Sequence, residues 1–439
     1  MPMRTRGEAR GGEIGCVWEA TAPPAPPTLS CQGAHVADVA VIGGGFTGLS
    51  TAIALRERGV SVVVLEAQSI GWGASGRNNG LVIPTLKQQE PASAIARFGT
   101  ERGARLNALV RDSASLVFNT IKRFGIECGA EQTGWVQPAH TPKHVGIARD
   151  RYEQWAALGA RVRLLDRSSI SSLLGTDAYY GGWMAEDGGH INPLAYVRGL
   201  AWAALRAGAV VFTHSPATSI ELQNGKWIVT TTNGSVACDK LCLATAAYDP
   251  VLFPALRGSI LPIKFFQIAT RPLPAAVRAR ILPGRHGMSD MRDDLYFGRY
   301  DSEHRYISGG TFILDHRWRE RLAPMTKRRV TRIFPSFPPD VQFEFAWEGT
   351  AAITTDHFPR LHELGPGLWS WIGCNGRGIA FSTAMGPVMA DAICGVPEQN
   401  LPLPRQSVRP LPFHGLLWRM APKALAYYRA RDAWDLATR

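Results

Sequence analysis

The sequence predicts a mixed α/β fold, in which a parallel, nucleotide-binding α/β unit alternates with an antiparallel-sheet domain. Three observations predict it. Residues 38–80 run as strand, glycine turn, helix, strand and then a second glycine-rich loop. Residues 368–394 run again as strand, glycine turn and helix. Residues 251–349 show strand candidates joined by tight turns such as Asp301-Ser302 rather than by crossover helices, which points to antiparallel pairing.

The first unit opens with the apolar run Val39-Ala40-Val41-Ile42 and turns on Gly43-Gly44-Gly45-Phe46-Thr47-Gly48. It continues as a helix from Leu49 to Arg58 and returns as a strand from Val60 to Glu66. The spacing has a physical basis. Gly43 serves the tight turn, Gly45 the approach of backbone to a pyrophosphate, and Gly48 close helix–strand packing. The helix start adds unpaired N–H groups and a positive dipole end. Glu66 follows Gly48 by 18 residues, near the ~20 expected of an acid that binds a ribose hydroxyl. This is a Rossmann-like dinucleotide site. Directly after it comes Gly71-Trp72-Gly73-Ala74-Ser75-Gly76-Arg77-Asn78-Asn79-Gly80. A nicotinamide has no evident need of such a loop. A flavin must thread a diphosphate, a ribityl chain and a ring past small residues, with Ser75, Arg77, Asn78 and Asn79 supplying hydrogen bonds. By local composition alone the stretch also suits a plain surface loop.

On these residues the chain resembles the D-amino acid oxidase-like (DAO) family of FAD-dependent oxidoreductases. The runs Gly43 to Ser50 and Gly71 to Gly80 look most like its gamma-glutamylputrescine oxidase branch. The resemblance covers residues 36–398. It implies a Rossmann-like FAD-binding domain over 36–90, 186–250 and 350–398, and an interleaved antiparallel-sheet substrate domain with a helical insert over 91–185 and 251–349. Residues 1–35 form an irregular arm and 399–439 a tail.

Composition suits a globular enzyme: 45% hydrophobic and 19% charged residues among 439. The 48 basic and 36 acidic side chains leave a net charge of +12. The charges are scattered, with no basic tract interleaved with aromatics, so a solvated basic surface is expected and no nucleic acid. Seven widely spaced cysteines suggest neither a disulfide framework nor a metal site. No apolar signal core and no uncharged run of ~18 residues is present. A reducing, cytoplasmic setting is expected.

Taken in order, the arm carries the extended run Thr21 to Pro27, and Trp18 either anchors it or faces solvent. Apolar periodicity predicts one helix over 96–124, another over 142–158, and a strand over 161–165. Residues 181–193 read as a turn-rich crossing before a helix over 194–207. His190, in a turn before a proline-started helix, reads as structural rather than catalytic. Strands follow over 210–213, 218–222, 227–232 and 235–238, with Asn224-Gly225 and Asn233-Gly234 as hairpin turns. Residues 240–248 read as a buried strand with a small-residue end. In the family that end reads Ala-Thr-Asn/Gly; Ala246 departs from it and removes one side-chain hydrogen bond. Further strands are expected over 263–270, 295–299, 305–308, 341–347 and 368–372, and residues 327–332 as one basic helix face. The turn Gly373 to Gly378 then opens a helix to Cys394, its N–H groups aimed at the flavin N1/C2 carbonyl. The tail ends in a basic amphipathic piece over 416–436, read as a lid or dimer contact, with peripheral membrane contact as the sharper alternative.

The expected FAD residues are Gly43, Gly45, Phe46, Thr47, Gly48, Glu66, Ala67 and Gln68, then Gly73, Ala74, Ser75, Arg77, Asn78, Asn79 and Gly80. Ala217, Ala244 and Thr245 join them from the returning strands, and Gly373, Asn375, Gly376, Arg377 and Gly378 from the last turn. The resemblance implies oxidation of the C–N bond of a small-molecule amine or amino acid, by hydride transfer to flavin N5 and hydrolysis of the imine. Substrate candidates are Tyr296, Phe297, Arg299, Trp347 and His357, none with an assigned catalytic role. Some relatives tether the flavin through a cysteine, and Thr350 to Phe358 holds none, so FAD is expected to be non-covalent. Some use a lysine toward oxygen, and His304 to Gly309 holds none. The acceptor is left as O2 or a quinone, with a D-amino acid dehydrogenase feeding a membrane quinone as the alternative. A flavin-containing binding or RNA-associated protein without turnover is the alternative from another class. A D-amino acid would need a bidentate arginine, for which Arg299 is the candidate. A polyamine would need an aromatic channel of Tyr296, Phe297 and Trp347, and that amine reading is preferred.

Overall fold

A computed structural model describes residues 15–248, 252–294, 296–312 and 316–437. The basic residues of the first 14 positions, residues 249–251, Leu295 of the expected strand 295–299, residues 313–315 and residues 438–439 lie outside the described residues. Helix α1 (Val17–Thr21) anchors the arm, with Trp18 only 1% exposed. The predicted unit follows as β1 (Gly33–Ile42), α2 (Phe46–Arg56) and β2 (Val62–Leu65). β2 is buried at every position, and α2 is buried from Phe46 to Leu55. That explains why β2 reads as an unbroken apolar run and α2 as small and apolar all round.

After β3 (Leu81–Val82), the helix expected over 96–124 is two helices, α3 (Pro91–Phe98) and α4 (Thr100–Phe124). Gly99 between them takes a φ of +80°, which ends one helix and starts the other. β4 (Trp135–Ala139), α5 (Pro142–Ala157), β5 (Val162–Leu165) and α6 (Arg167–Leu174) come next. The turn-rich crossing contains a true strand, β6 (Gly181–Ala185), and a short one, β7 (Gly189–His190). A Cβ on Gly182 would meet the Gln137 oxygen at 2.6 Å, so the glycines that suggest a turn are there for a neighbouring strand.

The chain continues through α7 (Pro193–Arg206), β8 (Val210–Phe212), β9 (Ala217–Gln223), β10 (Lys226–Thr231) and β11 (Gly234–Leu243). The strands expected over 235–238 and 240–248 are thus one strand, and it stops at Leu243. Next come α8 (Pro254–Gly258), β12 (Leu261–Pro272), α9 (Ala275–Arg278), β13 (Gly287–Ser289), β14 (Phe297–Tyr300) and β15 (Arg305–Thr311). The basic stretch 327–332 lies in α10 (Trp318–Ile333). β16 (Phe343–Ile353), β17 (Arg360–Gly365), β18 (Leu368–Ile372), α11 (Gly378–Ile393) and α12 (His414–Ala437) complete the order.

Among the described residues the strands form two eight-stranded sheets and a β3–β7 ribbon. The first has the order β17-β18-β11-β1-β2-β8, with β10 and β9 hung on β11. The pairs β1–β2, β1–β11, β2–β8 and β11–β18 are parallel. This sheet places both glycine turns at the C-terminal ends of parallel strands, β1 and β18, which are separated only by β11. The second has the order β16-β12-β15-β14-β13-β4-β6-β5. It is antiparallel except for β13–β4, which is parallel. β16 stays in this sheet through Ile353.

Candidate active site

Gly43 leaves β1 with a φ of +114°. A Cβ there would stand 2.7 Å from the Ala244 oxygen, and one on Gly48 would stand 2.0 Å from the Gly43 oxygen. Packing alone therefore excludes a side chain at either position. Gly45 instead faces Ser75, whose Oγ would lie 2.8 Å from an added Cβ. Ser75 Oγ accepts the Phe46 N–H at 3.1 Å, so the 71–80 loop closes directly on the first turn of α2. The N-cap residue, Gly45, supplies no side-chain cap, which leaves the Thr47 and Gly48 N–H groups to an anion. At the end of β2, Glu66 accepts the Gly44 N–H at 2.7 Å on one carboxylate oxygen and the Gln68 N–H at 2.9 Å on the other. Each oxygen keeps a lone pair for a hydroxyl. Burial raises the Glu66 carboxyl above its usual range. Ser215, two residues before Ala217, donates its N–H to the Glu66 backbone carbonyl at 2.9 Å. On the other side, Thr245 Oγ1 is buried without a hydrogen-bond partner among the described residues.

The 71–80 loop is held from outside by three successive carbonyls. Trp347 Nε1 donates to Arg77 O at 3.1 Å, Trp18 Nε1 to Asn78 O at 2.9 Å, and Arg299 Nε to Asn79 O at 2.7 Å. The three clamps touch each other. The Arg299 guanidinium lies 4.7 Å from the Trp18 ring centre, and the Trp18 and Trp347 rings meet edge to face at 5.6 Å. The Asn78 and Asn79 side chains serve the loop itself, accepting the Gly80 and Leu81 N–H groups. Arg77 stacks on Trp72 at 4.4 Å. Gly80, at φ +77°, makes room for Arg299: a Cβ would lie 2.3 Å from its guanidinium.

Arg299 and Trp347, two of the substrate candidates, are therefore placed as loop clamps. The other Arg299 donors go to Ile191 O, Tyr300 O and His190 Nδ1. Because arginine only donates, His190 Nδ1 accepts, and its Nε2–H donates to Arg285 O at 2.8 Å. Burial and the Arg299 cation hold His190 neutral, well below the usual histidine range. Tyr296 is fully buried with its hydroxyl 2.6 Å from that of Tyr306, and Phe297 is core. His357 is half-buried at φ +56°, its pKa lowered by burial and by the Lys87 cation.

The last glycine turn is tied to the first. Thr47 Oγ1 accepts from Trp371 Nε1 at 3.1 Å and donates to Ser382 O at 3.3 Å, joining α2, β18 and α11. Asn375, buried at φ +49°, accepts the Thr354 N–H at 2.8 Å and donates to Gly373 O at 2.9 Å. Arg377 begins α11, which has no side-chain cap among the described residues. Its guanidinium lies 5.2 Å from the Trp135 ring centre, and its Nε is buried without a hydrogen-bond partner among the described residues.

Arg377 also lines a cavity of about 400 Å³. The cavity lies between the loop after β3, α5, the β4–β6 pair, residues 289–293 and Arg431 of α12. Three of its cations are paired: Arg151 with Glu90, Arg292 with Asp290, and Arg431 with Asp293. Lys87, Lys143 and Arg377 make no ion pair with an acid among the described residues. Burial, with Arg377 and Arg151 nearby, lowers Lys87 to about 8, and burial with Arg151 lowers Arg377 to about 10. None of the five substrate candidates lines this cavity. Lys87 went unread in the sequence; its only signal is one lysine closing the apolar run that starts at Leu81.

A family model, DAO, described as FAD dependent oxidoreductase, matches residues 38–392. The chain belongs to this family. It is 29% identical over 409 residues to "Probable oxidoreductase OrdL" of Haemophilus influenzae, which spans 92% of this chain and 90% of that protein. It is 27% identical over 405 residues to the gamma-glutamylputrescine oxidoreductase of Escherichia coli, spanning 90% and 92%. The glycine oxidase structure from Geobacillus kaustophilus superposes with a TM-score of 0.69 at 21% identity, over 82% of this chain and 95% of that one. The protein is thus an FAD-dependent oxidoreductase. The uncapped starts of α2 and α11, the unpartnered Thr245 hydroxyl and Arg377 Nε, and the spare lone pairs of Glu66 fit that cofactor.

Proposed function

We propose that this DAO-family enzyme oxidises the C–N bond of an amine that carries a carboxylate, either an amino acid or a carboxylated amine conjugate. The carrying observation is the cation excess of Lys87, Lys143 and Arg377 in the cavity beside the last glycine turn. A polyamine without a carboxylate would meet like charge there. In this reading residues 36–90, 186–250 and 350–398 hold FAD, and 91–185 with 251–349 build the substrate side. FAD, when bound, supplies the two-electron acceptor for the amine's α C–H bond. The chain's own residues do the rest. The turns at Gly43 and Gly373 present N–H groups to its diphosphate and ring ends, and Glu66 receives a ribose hydroxyl. Arg377 adds a cation to the positive end of α11. Lys87, with Arg377, holds the substrate carboxylate and so orients the amine. The relatives named as gamma-glutamylputrescine oxidoreductase and glycine oxidase act on substrates of this kind.

The test is an anaerobic screen for flavin bleaching with D- and L-amino acids, glycine, gamma-glutamylputrescine and putrescine. Bleaching by carboxylated amines and not by putrescine is expected. Fast bleaching by putrescine alone would sink the proposal. The same reduced enzyme, mixed with oxygen or with a soluble quinone, assigns the acceptor.

A further inference from the structure

The family match begins at residue 38, and the arm lies ahead of it. Helix α1 is five residues long, too short to hold its own shape in water, so what it packs on holds it. Val17 and Trp18 are buried, and the Trp18 N–H donates to Asn78 O of the 71–80 loop at 2.9 Å. Gly15 O accepts the Ala346 N–H of β16 at 3.2 Å. Thr21 Oγ1 accepts from Asn192 Nδ2 at 3.0 Å, and Pro23 O accepts from Arg198 of α7 at 2.8 Å. Further on, Leu29 O accepts the Thr213 N–H at 3.1 Å, and Cys31 donates its N–H to Ser215 Oγ at 2.8 Å. Residues 213–215 in turn hold the segment after β2. The His214 N–H goes to Gln68 O at 2.9 Å, and that of Ser215 to Glu66 O. The arm therefore runs from the 71–80 loop to the backbone that supports Glu66.

We propose, on the reading that Glu66 and residues 71–80 line the FAD site, that this arm straps the cofactor in place. Trp18 is its positioning residue, and cofactor binding and arm docking stabilise each other. Four of the ten loop residues are glycine, with little side-chain packing of their own and much freedom to lose on ordering. Such a loop takes the shape in which its carbonyls are held. Trp18 holds the middle one of three, between Trp347 on Arg77 O and Arg299 on Asn79 O. Its ring touches both neighbours, 5.6 Å from the Trp347 ring and 4.7 Å from the Arg299 guanidinium, so its loss loosens the whole clamp. A loop ordered in advance leaves less ordering for FAD to impose, which raises affinity. Linkage makes the effect mutual: the factor by which the docked arm tightens FAD is the factor by which FAD tightens the arm.

The test compares the full-length protein with Trp18→Phe, which keeps an aromatic ring and removes the donor. FAD affinity, titrated on flavin-stripped protein, should fall about 5–10-fold in the variant. The gap in melting temperature between flavin-loaded and flavin-stripped protein should narrow with it. A merely structural tryptophan would lower both melting temperatures alike and leave affinity and gap unchanged, which would overturn the proposal. The wild type supplies a second measurement that needs no variant. Glu19 is exposed on α1, and cleavage after it by a glutamate-specific protease, followed by intact mass, should be about fivefold or more slower with FAD bound. Equal cleavage rates with and without FAD would overturn the proposal. Wild-type affinity in Trp18→Phe beside a colourless Gly45→Val would sink the strap and keep the FAD site. A Gly45→Val protein that holds its flavin would sink the placement of that site, and the strap with it.

Discussion

Replacing Lys87 with methionine removes one charge from the cavity at nearly constant volume. Two unit charges 4 Å apart attract by about 4 kcal/mol at an effective dielectric of about 20. Arg377 and Arg151 stand near the same place and would share a bound anion's charge, and the cavity opens to water. The loss should therefore fall to the roughly 1.5–3 kcal/mol of a charged hydrogen bond, which is about 10–150-fold in affinity. The pH dependence follows from the lowered value of about 8. Lys87 is charged below it and neutral above it, so anion binding is strong below pH 8 and weakens as pH rises through 8. One unit below, the amine is about nine-tenths charged; one unit above, about one-tenth. Benzoate, an unreactive carboxylate that stays ionised throughout, isolates this effect from the substrate's own amine. Its affinity, measured by calorimetry, should fall about 5–10-fold from one unit below to one unit above in the wild type and stay level in Lys87→Met. Glu90, Lys143, His144, Asp290 and Arg292 share the cavity and are common to both proteins. An identical pH profile in the two, or equal affinity below pH 8, would refute the role given to Lys87.

Gly45→Val should leave the purified protein colourless, because its side chain meets Ser75 where the loop closes on the phosphate turn; full flavin absorbance would show the turn is misplaced. Acid precipitation should release the flavin into the supernatant, since burial raises the Cys374 thiol and keeps the one cysteine of the last turn protonated; a yellow washed pellet would contradict this. Arg377→Met should lower the flavin midpoint potential in a dye-equilibrated titration, and an unchanged potential would separate that charge from the ring. Ala246 stands at φ +49°, a conformation that costs a non-glycine residue about 1–2 kcal/mol. Allowing for the freedom glycine loses on folding, Ala246→Gly should stabilise by about 0.5–1 kcal/mol, read as a raised melting temperature; a lowered one would show that the Ala246 methyl packs usefully.

How well the elements were legible follows from how local their causes are. The strand before Glu66 is legible because a strand buried on both faces leaves an unbroken apolar run, and β18 departs from one only at Ser370. The family's Asn/Gly at position 246 has its reason in the structure, since the chain after β11 turns through a left-handed residue there. The misread stretches have long-range causes. β6 looked like a turn because Gly181 and Gly182 are small, yet they are small to admit Leu165 O and Gln137 O from neighbouring strands. The break at Gly99 was invisible to periodicity, because α3 and α4 each keep an apolar face across it.

The site divides along the same line. Both glycine turns carry their chemistry in consecutive residues, so they could be read without a fold. The clamp on the 71–80 loop could not, since Trp347 reaches Arg77 across 270 positions and Trp18 reaches Asn78 across 60. A buried arginine in a sheet reads alike whether it awaits a carboxylate or is already satisfied, and only its donors decide. Those of Arg299 end on backbone carbonyls and on a neutral histidine, so its charge is screened by dipoles and its geometry is fully used. Lys87 is the reverse case. It sits among other cations with no carboxylate partner, and its lowered pKa expresses that unmet charge. A protein keeps such an arrangement at a cost to its own folding, and an anionic substrate that relieves the repulsion on binding gives it a use. The same reasoning that finds no free donor on Arg299 for a carboxylate makes Lys87 the candidate the proposal rests on.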